Sequence, residues 1–474
     1  MKKIRNTKAL FVLTFFIFLF ALSGCTTKTT STNSTTNEPT TEEVSTTVKN
    51  YYSDVKSDTD PVVLEEIEKC FDFFWETQNT DESSAGYGLV PDRYNTVTNK
   101  VGTLASIASV GYGLSAIPIG VAHGFITYEE GEERAYKTLL NLATMDRVMG
   151  FYYHFYGMTT AAPASGSEVS IIDTAIFLNG ALTAGKYFGG RCEEIANQIY
   201  EDVVWTWYYD SSASRFYMGY DHTTGKFSGY WGSYAEQMMI FILASGSPRY
   251  TIGRQPYNYM KTVSQMASAT DDYGSFYMSY SGSLFVYQYA YSWFDSEKYV
   301  DSDGFSWYTN SLNATKAAYA YSVSKKNDYY TYSENSWGMS ACDGPDGYTG
   351  AYGSGPSIGS HYVDGTVALY AAVASINYLE TESLNALQNY RNNANLWSKY
   401  GLIDSYNLGA RNNYVTVPEA TIPSGGWYGT DLIGIDKGNE LLMLENYNSG
   451  LIWNIFMDIE YVQNAMIILG FSEE

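Results

Sequence analysis

Pro61-Val-Val-Leu-Glu-Glu-Ile-Glu-Lys-Cys-Phe-Asp-Phe-Phe-Trp75 places Val63, Leu64, Ile67, Cys70, Phe71, Phe74 and Trp75 at intervals of three and four. That period lays one apolar stripe along a helix, and proline near its start fits a first helical turn. The same period returns over 105–122, 128–145, 167–187, 193–207, 234–244, 309–323, 364–376, 383–396, 440–453 and 462–469, and more weakly over 256–267. Several of these runs, such as 104–120, are apolar or small all round, as expected of helices buried on more than one side. About twelve helices with long loops after alternate ones predict an all-α domain of two concentric rings of about six. The loops, at 208–232, 271–303 and 344–363, are rich in Gly, Tyr and Asp. Arg215-Phe-Tyr-Met-Gly219 alternates and predicts a short strand within one of them.

Upstream, Lys2, Lys3, Arg5 and Lys8 precede an apolar run from Ala9 to Leu22. The run is short for a bilayer span and reads as an export signal. Leu22-Ser-Gly-Cys25 resembles the lipobox of bacterial lipoproteins, which implies cleavage before a lipidated Cys25. A Ser-, Thr- and Asn-rich tract follows, with little apolar surface to bury. The expected organisation is a signal peptide over 1–24, a lipidated cysteine and disordered linker over 25–56, and one catalytic domain over 57–474. The expected location is the cell surface or periplasmic face, anchored to a bacterial membrane through the lipid alone.

Loss of the four basic leader residues takes the formal charge from −23 to −27, which argues against nucleic acid as a partner. The 46 tyrosines exceed what a core needs, and their flat faces with a polar edge suit pyranose rings. Cys70, Cys192 and Cys342 are distant and odd in number, so no disulfide framework is expected. The histidines lack metal-ligand spacing, and Asp301-Ser-Asp-Gly304 reads as a turn, so neither a metal nor another cofactor is expected.

Glu168, Asp173, Glu236, Asp343, Asp364, Asp436 and Glu445 sit beside glycine, aromatic or apolar residues instead of in solvated charge runs. A carboxylate in such surroundings needs a partner or a function. With Ser167 as a helix cap, Glu168 stands at the rim and Asp173 lies about 140° round the helix, too far to share one site. Glu236 opens a strongly apolar helix, where burial favours the protonated carboxyl that a general acid requires; the other reading is a glutamate opposing a helix dipole. Asp436 lies in Ile433-Gly-Ile-Asp-Lys-Gly438 between glycines, read as a loop acid ahead of a packed helix or as that helix's cap. Glycoside hydrolysis needs two carboxyl groups, one protonated and one ionised, from any two points in the chain. Glu236 and Asp436 are such a pair, and Trp231, Trp293, Trp427, Tyr428 and Tyr447 are candidate sugar platforms nearby in sequence.

Phe71-Asp-Phe-Phe-Trp75, Gly88-Leu-Val-Pro-Asp-Arg93, Gly111-Tyr-Gly-Leu114, Gly150-Phe-Tyr-Tyr-His-Phe155, Ser167-Glu-Val-Ser-Ile-Ile-Asp-Thr-Ala175, Leu284-Phe-Val-Tyr-Gln-Tyr289, Trp337-Gly-Met-Ser-Ala-Cys-Asp-Gly-Pro345, Asp364-Gly-Thr366, Gly434-Ile-Asp-Lys-Gly438 and Leu444-Glu-Asn-Tyr-Asn-Ser-Gly-Leu-Ile-Trp453 occur in order across 60–472. Together they resemble the bacterial glucoamylase-like domain family. The resemblance implies an (α/α)6 barrel and a glycoside hydrolase, in the group containing the endo-β-1,2-glucanases of family 144, acting with inversion. It places Glu236 as general acid, Asp436 as base and Glu168 at the substrate. It has Asp343, Asp364 and Glu445 line or brace the cleft, and makes His154 and Gln288, which fall in its motifs, substrate contacts. Two departures stand out: Tyr156-Gly157 where the family carries an acid, and Tyr-Ala-Glu-Gln where an Asn-Glu pair is typical. The expected activity is cofactor-free hydrolysis of an extracellular β-glucan, β-1,2-glucan or its oligosaccharides, by a monomer. The alternatives are transfer, another linkage, or glycan binding without chemistry.

Overall fold

The computed structural model describes residues 49–474. Its α-helices are α1 (Pro61–Thr77), α2 (Ile107–Ala122), α3 (Tyr128–Thr144), α4 (Ile171–Phe188), α5 (Gly190–Glu201), α6 (Trp205–Tyr208), α7 (Met238–Gly246), α8 (Gln255–Val263), α9 (Trp307–Ser324), α10 (Leu369–Val373), α11 (Glu380–Arg391), α12 (Gly434–Ser449), α13 (Leu451–Phe456) and α14 (Glu460–Leu469). The chain is mostly helical, with strands confined to short pieces. Asp60 caps α1 by accepting the Val62 amide at 2.9 Å, with Pro61 at the first position.

Two kinds of helix share the work. α1, α3, α5 and α14 bury a stripe, whereas α2, α4, α7, α10 and α12 are buried nearly all round. α12 packs against α1, α2 and α10; α2 packs on α4, and α4 on α7. Small residues permit the closest crossings. A Cβ on Gly180 would stand 1.8 Å from the Gly111 carbonyl oxygen, and one on Gly438 would stand 2.1 Å from the Tyr112 ring. The glycines flanking Asp436 therefore serve helix packing, not a turn. Two 3₁₀ turns, Leu284–Tyr287 and Tyr289–Ser292, lie within a stretch expected to be loop. Gln288 between them is fully buried, its amide donating to the Ala371 carbonyl at 2.8 Å and Ser375 Oγ at 2.9 Å.

A short strand precedes each of four inner helices: Leu104–Ser106 before α2, Val169–Ser170 before α4, Thr366–Ala368 before α10 and Asp431–Ile433 before α12. Their antiparallel partners are Phe155–Gly157, Arg215–Asp221, Ser405–Asn407 and Arg93–Asn95. The helices expected from residues 105, 167 and 364 accordingly start a few residues later, because the leading residues are extended and pair across loops. The expected helix over 440–453 begins at Gly434 instead and breaks at Gly450, whose φ of 68° admits glycine easily.

The folded body also starts before residue 57. Tyr51 is buried and its hydroxyl donates to Asp458 at 2.8 Å, while the Lys56 amide donates to the Asn448 carbonyl at 2.8 Å. The leader, Cys25 and the linker up to residue 48 lie outside the described residues.

One buried ion cluster ties the N-terminal half of α12 to α1. Lys437 Nζ donates to Glu66 at 2.6 Å and to Glu440 at 2.8 Å, and Glu66 also accepts the Leu402 amide at 3.1 Å. Burial pushes Glu440 up to about 8 despite Lys437, with Glu66 adding to the rise. Lys437→Met should cost about 3–5 kcal/mol, because it leaves buried carboxyls without their cation. Urea unfolding monitored by circular dichroism measures this; an unchanged midpoint would show that the cluster contributes nothing.

Candidate active site

A cavity of about 630 Å³ opens where the strands meet the N-terminal ends of the inner helices, lined among others by Glu236, Trp231, His154, Glu168, Asp173 and Tyr289. Glu236 stands on a turn two residues before α7, half-buried in the cavity wall. Its neighbours fix the turn. Gln237 accepts the Ala235 amide at 2.7 Å and donates to the Ser233 carbonyl at 2.9 Å, and the Tyr234 ring stacks on Trp307 at 5.2 Å. Burial raises the Glu236 carboxyl to about 7, with the charge of Asp173 adding to the rise. A carboxyl so placed holds a proton near neutrality and can donate it. Trp231 lies in the same wall, and its indole N–H is buried without a partner.

His154 links the next two acids. Its Nδ1 lies 3.0 Å from Glu168 and its Nε2 3.6 Å from Asp173. Burial opposes the charged ring, but Asp173 and the Glu168 hydrogen bond outweigh it and lift the imidazole to about 9. Glu168 is lowered in turn, chiefly by that hydrogen bond. This corrects the helical reading of the segment. Ser170, not Ser167, caps α4 by accepting the Asp173 amide at 3.2 Å, so Glu168 precedes the strand-to-helix junction and Asp173 sits in the first turn. The rotation per residue of a helix does not separate two acids that straddle its start, and both face His154. These three stand close enough together to hold a metal ion by geometry alone, and without one the imidazole hydrogen-bonds Glu168 and faces the charge of Asp173.

Asp436 occupies the first turn of α12, 2 % exposed, and makes no capping bond. Tyr289, on the cavity wall, donates its hydroxyl to Asp436 Oδ1 at 3.0 Å. Asp436 is thus set just behind that wall. Its neighbour is Asp404, an acid the sequence reading passed over: the carboxyls lie within hydrogen-bonding reach, and burial followed by the charge of the other raises Asp436 far above the usual carboxylate range. Asp404 accepts the Asp343 amide at 2.8 Å. Arg93, in the cavity lining, donates to the Asp343 carboxylate at 2.6 Å. Asp343 therefore braces the site through Arg93.

Other expected contacts stand elsewhere. Asp364 is buried under the Tyr352 hydroxyl at 2.8 Å and the Thr366 amide at 2.9 Å, where it shapes a loop and does not border the cavity. Gln288 is consumed by the Ala371 carbonyl, Ser375 and Asn439, and Trp293 is fully buried with its N–H on Ser115 at 3.0 Å. Trp427 pairs through its strand with Asn407 and, with Tyr428, does not line the cavity. Glu445 is fully buried and bonds His123 at 2.6 Å, and Tyr447 bonds Glu380 at 2.9 Å beneath the Lys56 ammonium. Both belong to the far end of α12, because a helix with Asp436 in its first turn carries residues nine and eleven positions later about 13–17 Å further along its axis. Missed residues include Arg93 and Tyr289, both inside quoted motifs, and Met218 on the rim. Asp404 carried the same signal as the chosen acids, an isolated carboxyl after Gly401-Leu-Ile.

Residues 228–460 match the Glycoamylase family model, described as "Putative glucoamylase". The chain is 27% identical over 450 residues to an exo β-1,2-glucooligosaccharide sophorohydrolase (non-reducing end) of Parabacteroides distasonis; the match covers 86% of this chain but 58% of that protein. Its fold is similar to that of an endo-β-1,2-glucanase from Chitinophaga pinensis in complex with sophorotriose and glucose, with a TM-score of 0.73 at 22% identity over 87% of this chain and 98% of that one. A β-1,2-glucanase structure from Parabacteroides distasonis gives a TM-score of 0.73 at 24% identity, covering 86% and 60%.

Because the folded pKa of His154 exceeds the unfolded value of about 6.5, its contribution to stability is complete below that value and lost as pH rises through about 9. Wild type should lose this increment, at most about 3 kcal/mol, over that window relative to His154→Gln. Chemical denaturation at stepped pH gives the difference; parallel curves would remove the charged histidine.

Proposed function

We propose that this chain, a member of the glucoamylase-like family through residues 228–460, is a glycoside hydrolase acting on β-1,2-glucan or its oligosaccharides. The observation that carries the reading is Glu236: a half-buried carboxyl, raised to about 7 by its surroundings, on the wall of a cavity large enough for sugar residues. The β-1,2 linkage is taken from the relatives, a sophorohydrolase and β-1,2-glucanases. We further propose that the inner and outer helices close into an (α/α)6 barrel, with the cavity at the end where the inner helices begin.

In this mechanism Glu236 gives its proton to the glycosidic oxygen as the bond to the anomeric carbon breaks. Water attacks from the opposite face and surrenders a proton toward Asp436, inverting the configuration. Inversion requires a carboxyl separation of roughly 6.5–9.5 Å to admit that water. Trp231, Phe155 and Ile435 offer apolar surface to sugar faces, and Arg93, His154 and Glu168 offer hydrogen bonds to hydroxyls. A surface lipoprotein is the matching location, supported by the Leu22-Ser-Gly-Cys25 tetrad.

Glu236→Gln should lower kcat on β-1,2-glucan by about 10²–10⁴-fold while oligosaccharide binding persists. Reducing-end release and calorimetric titration measure the two. Wild type should lose activity as pH rises through about 7, where Glu236 deprotonates. Full turnover by Glu236→Gln, or no preference for β-1,2 over β-1,3, β-1,4 and α-linked glucans, would overturn the assignment.

A further inference from the structure

We propose that Asp404 and Asp436 act as one unit that holds a single proton between their carboxyl groups, with Asp404 the positioning residue that sets when Asp436 accepts another. The assignment of Asp436 as base rests on the function proposed above; the shared proton does not.

The argument begins with two leftover oxygens. Asp436 Oδ1 takes the Tyr289 hydroxyl at 3.0 Å, and Asp404 Oδ2 takes the Asp343 amide at 2.8 Å. Asp436 Oδ2 and Asp404 Oδ1 are buried and carry no hydrogen bond, and the two carboxyls lie within reach of each other, with the Tyr370 hydroxyl beside Asp436. Two ionised carboxylates are acceptors only, so these neighbouring unpartnered oxygens can bond to each other only through a proton. The surroundings offer little to replace that proton. Asp436 faces the hydroxyls of Tyr289, Tyr112 and Tyr370 besides Asp404; Asp404 faces Asp343, with Arg93 the nearest cation; Tyr348 and Cys342 stand close to both. Arg93 is already committed to Asp343 at 2.6 Å. Two negative charges side by side in this setting would be unpaired, whereas one charge shared over two carboxyls is held by Tyr289 and the Asp343 amide.

Burial and the charge of Asp343 push Asp404 up to about 7, and burial with the charge of Asp404 raises Asp436 well above the usual carboxylate range. These values belong to the pair. The pair is neutral well below pH 7, carries one negative charge around and above it, and stays singly protonated through the neutral range. In its singly charged form it takes one proton from the attacking water as the oxygen bonds to the anomeric carbon, while the proton of Glu236 goes to the leaving oxygen. The pair is then neutral, Glu236 is ionised, and a proton passing through solvent from the pair to Glu236 restores both.

Asp404→Asn removes the repulsion and gives Asp436 an amide donor, so Asp436 alone should ionise at lower pH. The acid limb of the kcat/KM profile on β-1,2-glucan should move down by about one pH unit or more, with the limb set by Glu236 in place and KM within about threefold. An unmoved acid limb in a variant that melts like wild type would overturn the positioning role. An independent arm needs no turnover: infrared spectroscopy with aspartate-selective ¹³C labelling should find one protonated aspartate in wild type at about pH 8, lost in Asp404→Asn and in Asp436→Asn alike. None or two in wild type, or a band that survives in either variant, would overturn the shared proton. Absence of glucan turnover with the infrared pattern intact would instead strike the hydrolase reading.

Discussion

Lys437 is the fixed point from which the site is built. Its ammonium is buried between Glu66 of α1 and Glu440 one turn further along α12, and it sits next in sequence to Asp436. Successive side chains on a helix diverge by about 100°, so pinning Lys437 into the core turns Asp436 toward Tyr289 and the cavity. The Leu402 amide, held by Glu66, begins the short stretch that ends on Asp404. One cation thereby sets the rotation of α12 and the approach of the segment bearing the second aspartate, between the strands Gly401–Leu402 and Ser405–Asn407. Gly438 lets α12 lie against Tyr112, where any side chain would force the helices apart.

The site depends on withheld solvation. Glu236, Asp404, Asp436 and Glu440 are all raised, and burial is the leading cause in each. What distinguishes them is the compensation. Glu440 has Lys437, and Asp404 and Asp436 have each other, whereas Glu236 has its own amide and an open cavity in front of it. The carboxyl with the fewest internal partners is the one facing space, which suits a group that must give its proton to something arriving from outside. His154 contributes the opposite effect, holding the Glu168 carboxyl below its ordinary range on the same cavity wall.

Much of this was legible in the residues, and the failures share one cause. A stripe such as that of α1 specifies a helix and its buried face together. Helices buried all round announce their existence but not their ends, because Leu104–Ser106 and Val169–Ser170 are as apolar or small as the turns that follow them. The misplaced start of α4 put Glu168 and Asp173 on a single helix and separated them wrongly. Glu236 was readable since its signal, an acid against an apolar run, is local. Glu445 and Tyr447 carry the same local signal, but sequence proximity to Asp436 says nothing about which end of a long helix reaches the cavity. Asp404 acquires its partner only through pairing across loops, which no spacing along the chain reveals.

Residues 51–56 enter the fold beside the last turn of α12, where Lys56 covers Tyr447 and its amide caps the Asn448 carbonyl. Asp436 lies in the first turn of the same helix, twelve residues and about 18 Å away along its axis. The chain therefore enters the folded body at the end of α12 opposite the one that faces the cavity. A polymer can reach the cavity without passing that entry point.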